Sequence, residues 1–462
     1  MDLDFLVDRV SYQPALSILS GLGFKPAVVR GGNNSPGISH YYGYDPVTDR
    51  FAHVHLFSRV LTGESFLKSH LLPFEPMLLQ NVRYDGQMRV ASKPAELILF
   101  ITRTYIKYGS LLDLVYLSKK TGKIKSELRW LKEGADLGKT LCLLKQYCPV
   151  IDEDLFLECI NTLEGDASLI RRVGLARKVR NRLRIYARHT FLERVYGYFH
   201  LVLSKALRRL GSSKKDKVLQ KGGVVIAIVG ADATGKSTLV AETGRWLGEN
   251  FAVRIVHAGK PPTSWVTAPF NLLFHLVRRF WPKSLTTNHE NRNSSEKKEG
   301  SRNSKGWAGL LYAFRAVALA WDRRNLLLKG WRAAANGEIV VCDRYPSNIV
   351  GAMDSPRLKE IKEDSGWLGN VYNKAAGLEQ QLYAQIPPPD LVVRLRVSVE
   401  TAKDRNRLRD KPGDEKDEYI ESRHRLYREW RRSDTGKVFD VDTEQSLAET
   451  TLQLKDILWR AL

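Results

Sequence analysis

Nine consecutive residues carry the clearest chemistry in the chain: Gly230, Ala231, Asp232, Ala233, Thr234, Gly235, Lys236, Ser237 and Thr238 fit the pattern G-x-x-x-x-G-K-[ST]. Glycines in such a loop let backbone N–H groups turn inward around phosphate oxygens, and a helix beginning at its end adds a positive dipole. Lys236 is then placed to reach the β- and γ-phosphates of ATP, and Ser237 to offer its hydroxyl to a magnesium ion bridging them. The flanks agree with this reading. The apolar run Val224 to Val229 enters as a strand, and Leu239, Val240, Thr243, Trp246 and Leu247 leave on one helical face. The pattern is specific for nucleotide binding, but kinases, switches and translocating ATPases all share it.

Two further groups fit a phosphate site. Ile339-Val-Val-Cys-Asp-Arg-Tyr reads as an apolar strand ending in Asp343, at the edge where parallel sheets present their ligands. Asp343 can hold the magnesium shell from there, and Arg344 the phosphate of an acceptor. Arg405, Arg407 and Arg409 follow the strand Leu391 to Val397 and a helix starting near Val399. Arg405 and Arg409, four apart, share a helix face, and guanidinium forks match phosphoryl oxygens better than ammonium groups do. Plainly solvated arginines are the competing reading of that triplet. The turn Lys411-Pro-Gly-Asp-Glu-Lys after it reads as part of a closing lid.

The elements that must position these groups alternate in type. Strands at 224–229, 252–256, 339–342, 391–397 and 438–441 are separated by helical patterns, including a long one near 307–335, which argues for a parallel sheet with helices on both faces. Within that long helix, Trp307 to Trp321 reads as a buried stretch. Residues 282–305 hold a single aliphatic residue, Leu285, and read as a disordered insertion. Before this α/β domain the chain divides differently. Residues 1–110 mix short apolar runs with turn signals, an α+β pattern; 111–210 read as mostly helical; and 211–222 read as a linker to the domain 223–462.

Length and charge bound the answer. A chain of 462 residues exceeds one ordinary core, and a formal charge of +22 calls for anionic partners. Fifteen Lys or Arg between 171 and 217 face only Glu193 and Asp216, so this segment carries over half of the excess. Its interleaved Leu183, Ile185, Tyr186, Phe191, Leu192, Val195, Tyr196 and Tyr198 would let basic helices lie on nucleic acid or an anionic membrane, or pack as a solvated face. Four cysteines without a C-x-x-C pair argue against a disulfide scaffold and fit a reducing cytoplasm. The opening Met-Asp-Leu-Asp lacks the basic flank and apolar run of a signal peptide, and no uncharged apolar stretch is long enough to span a bilayer.

The residues from about 223 to 462 resemble the thymidylate kinase family. The resemblance rests on the phosphate loop with Asp232 at its third position, on Asp343-Arg344-Tyr345, on an Arg-rich lid, and on Trp321-Asp-Arg-Arg before Asn336-Gly-Glu. It implies transfer of the ATP γ-phosphoryl group to a nucleoside monophosphate, with Arg323 or Arg324, Arg344 and Tyr345 around the acceptor and a homodimer as the assembly to expect. The chain departs from the family at Ala233, where glycine is usual, in the stretch Pro346 to Pro356, and in the 282–305 insertion. Residues 1–110 bear a weaker resemblance to small nucleotidyltransferase domains. Asp2 and Asp4 look like that family's alternating carboxylates and His53-Val-His55 like its further ligand position, although the family's Gly-Ser helix and third carboxylate are missing. Three functions therefore stand at this point: a phosphotransferase acting on a small phosphorylated molecule, a nucleotide-dependent switch using the basic helices, and a bifunctional protein with nucleotidyl transfer at its N-terminal domain.

Overall fold

In the computed structural model, the residues described are 2–30, 35–63, 67–108, 121–165, 167–190, 192–193, 195–197, 199, 203, 217–259, 261–262, 307–352, 354–361, 366–408, 417–428, 430 and 436–462. The insertion expected at 282–305, the turn at 411–416, Arg409 and most of the linker lie outside them. By spatial contact the chain divides into two compact units, Met1–Asp45 with Arg50–Ser212, and Pro46–Asp49 with Ser213–Leu462.

The first unit opens on a sheet in the order β1 (Asp2–Leu6), β4 (Arg50–Phe57), β3 (Ile38–Asp45), β2 (Lys25–Val29). Strands β1 and β4 run parallel, while β3 is antiparallel to both of its neighbours. Two hairpins follow, β5 (Val60–Thr62) with β6 (His70–Leu72) and β7 (Val82–Asp85) with β8 (Met88–Ala91). Helices then take over at Lys93–Tyr108, Thr121–Glu133, Leu137–Tyr147, Glu153–Glu164 and Leu169–Arg182. The first of these buries Leu97, Ile98, Ile101, Tyr105 and Tyr108 on one face, spacing that a 3.6-residue period dictates. Each such aliphatic side chain contributes roughly 1.5–3 kcal/mol by leaving water. Asp136, Asp152 and Ser168 cap three of these helices by accepting a backbone N–H three residues on. On the last helix Leu175, Ala176 and Val179 are buried together with Arg172, while Arg171, Arg177, Lys178 and Arg182 are exposed.

The second unit is an α/β domain. After the short strand β9 (Lys217–Leu219) come β10 (Val224–Gly230), β11 (Val253–His257), β12 (Ile339–Asp343), β13 (Leu391–Arg396) and β14 (Lys437–Asp442). These last five form one all-parallel sheet in the order β11-β12-β10-β13-β14, flanked by helices. Central position explains the sequence of β10: from Val225 to Gly230 every residue is buried, as a strand paired on both edges and covered by helices requires. The helix Trp307–Ala335 corrects one expectation. Its first half is not buried all round: Leu310, Ala313, Ala316 and Ala320 face the core, whereas Tyr312, Phe314 and Trp321 are exposed. Small residues alternate there with aromatic ones, so the run reads as apolar although only one stripe is covered. Among the described residues no helix is long and apolar enough to cross a membrane.

One glycine fixes how the long helix enters the sheet. A Cβ on Gly223, just ahead of β10, would stand 2.1 Å from the carbonyl oxygen of Glu338 and 2.4 Å from that of Ala334. Both obstacles are backbone, so neither can rotate away. Gly223→Ala is therefore expected to destabilise this unit by about 3 kcal/mol, measured as a fall in its calorimetric unfolding midpoint.

Candidate active site

The site is built at the carboxyl edge of the parallel sheet, where β10 and β12 end side by side in the register Ile228 to Asp343. From Gly230 the chain turns through Ala231–Gly235 into the helix Lys236–Gly248. Two residues make the turn in the left-handed region, Ala233 at φ +64° and Gly235 at φ +81°. For glycine this is free; for Ala233, buried in the loop, it stores strain of the order of 1 kcal/mol. Gly230 is required for a different reason, since a Cβ there would meet the Thr234 hydroxyl oxygen at 2.6 Å. The N-cap position, Gly235, supplies no side chain to the first-turn amides, leaving these donors for an anion.

Lys236 is buried, and its ammonium group donates to the carbonyl oxygen of Ala231 within the same loop. Burial pushes its pKa down to about 8, against the opposing pull of Asp232. Because the charged lysine attracts phosphate more strongly than the neutral one, any triphosphate affinity of this loop is expected to fall, by up to about tenfold per pH unit, above pH 8. In Lys236→Arg, whose guanidinium does not titrate there, calorimetry should find that fall flattened.

Asp232 is the centre of an ion-pair network. Its carboxylate accepts from Arg344 Nη2 at 3.1 Å and from Arg423 Nε at 2.9 Å. Burial works against its ionisation, but Arg423, Lys236 and Arg344 outweigh it and hold the carboxyl below the usual range. His424 Nε2 lies 3.1 Å from the Asp232 carbonyl oxygen, and burial holds this imidazole below its ordinary pKa. Arg344, itself at φ +73°, extends its other nitrogen to Asp354 Oδ2 at 3.1 Å. Burial opposes the Arg344 charge, while Asp354 and Asp232 favour it and raise its pKa overall. Gly259 makes room for this arginine, because a Cβ there would come within 2.7 Å of its Cδ.

Asp343 differs from the other acids. Its Oδ2 lies 3.3 Å from His257 Nδ1, while its Oδ1 is buried with no hydrogen-bond partner. An orphaned carboxylate oxygen at the end of the sheet, with the exposed hydroxyl of Ser237 on the neighbouring helix start, is a hard-oxygen donor set that suits magnesium.

The remaining residues singled out in the sequence are placed less uniformly. Arg323 is fully buried and donates to the carbonyl oxygens of Ala258 at 2.8 Å and Asp354 at 3.1 Å, and to the Tyr383 hydroxyl. It thus supports Asp354 from behind. Arg324 is turned away: its Nε donates to Gln385 at 2.6 Å and its guanidinium lies over Trp321. Consecutive helix positions point about 100° apart, so only one of the two can face the sheet edge. Tyr345 is a core residue rather than an open contact. Its hydroxyl donates to the Pro387 carbonyl oxygen at 2.6 Å and accepts from Trp331 Nε1 at 3.1 Å. Arg405 is held at the end of β14, where it donates to the Thr443 carbonyl oxygen at 2.6 Å; Arg407 pairs with Asp404 and Asp417. Among the described residues, the arginine from this region that meets the phosphate loop is Arg423, on the helix Asp417–Arg428; Arg409 lies outside them. The sequence reading also missed Asp354, His424 and His257. The one available signal for Arg423 was its place three residues beyond Ile420, on the buried side of an otherwise polar helix.

These features define the second unit as an α/β domain of the phosphate-loop class, with a phosphate loop, a carboxylate at the end of the adjacent strand and a cluster of arginines. Among solved structures, the chain is similar to the deoxyadenosine kinase of M. mycoides with bound dATP, at 18% identity and a TM-score of 0.29 over 51% of this chain and 98% of that one. The same enzyme with bound dCTP matches at 18% identity and TM-score 0.28, and with dCMP and a flexible dCDP at 19% and 0.28, with the same coverage. No protein-family model matches the chain, and no curated protein does.

Proposed function

We propose that the second unit is a phosphotransferase that moves the γ-phosphoryl group of MgATP to a small phosphorylated acceptor, with a nucleoside monophosphate as the first class to consider. The observation that carries this reading is Arg344, suspended between Asp232 of the phosphate loop and Asp354, next to the orphaned oxygen of Asp343. Transfer to water or to an uncharged hydroxyl needs no cation for an acceptor phosphate; transfer to a phosphorylated acceptor does.

In this reading the loop amides and the helix N-terminus orient the triphosphate, and Lys236 exchanges the Ala231 carbonyl for a γ-phosphate oxygen. Ser237 and Asp343 would hold the magnesium ion, which when bound neutralises charge on the β- and γ-phosphates. Arg344 presents a forked guanidinium to the acceptor phosphate, and Asp354, itself fixed by Arg323, aims that fork. Arg423 pairs with the other oxygen of Asp232, where it adds positive charge beside the loop for the transferring group. The reaction is then mostly positioning and charge neutralisation, which is what phosphoryl transfer asks of a protein.

The test is incubation of the purified chain with labelled ATP, magnesium and a panel of nucleoside monophosphates, sugar phosphates and unphosphorylated deoxynucleosides, with Lys236→Ala as control. Label on a monophosphate supports the proposal. Label on deoxynucleosides alone overturns the role given to Arg344, and label released only to water favours a nucleotide-dependent switch.

A further inference from the structure

The second cluster of chemistry lies in the first unit, on one face of its sheet. Strand pairing puts Asp2 beside His53 and Asp4 beside His55 across β1 and β4. On the other edge of β4, pairing puts Tyr42 beside His53 and His40 beside His55. Side chains two apart along a strand share a face, so the three strands together lay down two rows: Asp2, His53, Tyr42, and Asp4, His55, His40. The side chains meet as the register requires. Asp2 Oδ1 lies 2.9 Å from His53 Nδ1, and Asp4 Oδ1 lies 2.8 Å from His55 Nδ1. The His53 and His55 rings stand edge to face with centroids 4.0 Å apart, and His40 Nδ1 lies 3.2 Å from His53 Nε2.

A carboxylate at Nδ1 fixes each imidazole as the tautomer that carries its proton there, leaving the Nε2 lone pair directed away from the acid. At His55 that nitrogen is buried and has no hydrogen-bond partner. One ring nitrogen from each of His40, His53 and His55 lies within 4.8 Å of the other two. Ligands at about 2.0–2.1 Å in a tetrahedral shell are themselves about 3.4 Å apart, so small ring rotations suffice to close the set. We propose that His40, His53 and His55 form a binding site for one divalent transition-metal ion of the zinc class, with Asp2 and Asp4 as the carboxylates that orient two of its imidazoles. Three protein nitrogens leave a fourth position open to water or a substrate oxygen, the coordination that supports Lewis-acid chemistry. This differs from the sequence expectation, in which Asp2 and Asp4 were ligands and His53-Val-His55 a further ligand position; one oxygen of each aspartate instead meets an imidazole, and the third nitrogen ligand, His40, comes from a strand that the H-x-H spacing could not indicate. Borderline nitrogen donors favour zinc over magnesium.

The site is tested on the full-length chain after removal of metal with a chelator, by calorimetric titration with zinc chloride and by elemental analysis of the dialysed protein. One equivalent per chain is expected, lost in His55→Ala and in His40→Ala, while Asp4→Asn keeps the stoichiometry and weakens binding by about 10–100-fold. Far-UV circular dichroism and an unchanged calorimetric unfolding profile establish that the variants are folded. Should a variant fail to fold, cobalt substitution of the unaltered chain decides the matter. Intense visible bands of tetrahedral nitrogen-ligated cobalt support the site, and their absence overturns it. Equal zinc affinity in the unaltered chain and in folded His55→Ala also overturns it, as does a chain that takes up no zinc.

Discussion

Replacing Lys236 by alanine is expected to lower the rate of phosphoryl transfer by about 10³-fold and to remove most of the heat of MgATP binding. The loop places this ammonium group against the Ala231 carbonyl, inside a buried environment that holds its pKa near the physiological range. It is thus a weakly hydrated charge held ready for phosphate, and no other lysine in the described part of the loop can replace it. Folding should survive, because Asp232 keeps both Arg344 and Arg423 as partners when Lys236 is gone. Single-turnover kinetics and calorimetry with matched thermal unfolding check the three statements together. A variant that bound MgATP with unchanged heat would show that the loop does not grip the triphosphate as proposed.

Arg344→Lys should separate the acceptor from the nucleotide. The guanidinium reaches Asp232 and Asp354 simultaneously, at 3.1 Å each, from a backbone held at positive φ. An ammonium group is a single point and cannot span both acids, so its direction toward an acceptor phosphate is lost even though its charge remains. The expected result is a fall of about 10²–10³ in kcat/KM for the acceptor, some 3–4 kcal/mol of transition-state stabilisation, with the dissociation constant of MgATP changed less than about threefold. Steady-state kinetics against acceptor, paired with calorimetry against nucleotide, makes the comparison. Equal losses on both sides would place Arg344 on the triphosphate and leave the acceptor without its proposed anchor.

The two arginine groups of the second unit illustrate what a linear pattern conveys. The places of Lys236, Ser237, Asp343 and Arg344 at the sheet edge were legible because each lies within a few residues of an element whose type the sequence dictates: a strand end or a helix start. The contacts of the lid arginines Arg405 and Arg407 were not. Spacing alone favoured Arg405, yet the helix Val399–Arg407 directs it to the Thr443 carbonyl, and the contact with Asp232 comes from Arg423 on the next helix. The choice between Arg323 and Arg324 failed for the same reason, since the phase of a helix against its sheet is set by packing, here by the fully buried Arg323 against Tyr383 and Ala258.

What the sequence determined by itself was local: the phosphate loop, the five strands and their helices, and the carboxylate at the end of β12 all follow from apolar period, glycine placement and the donors that a loop must present. Tertiary structure decided what lies across from these groups. Asp354 reaches Arg344, Arg423 reaches Asp232 and His40 reaches His55 through strand register and helix docking. Those pairings depend on which faces bury together, a property of distant segments acting jointly that no single stretch of sequence contains.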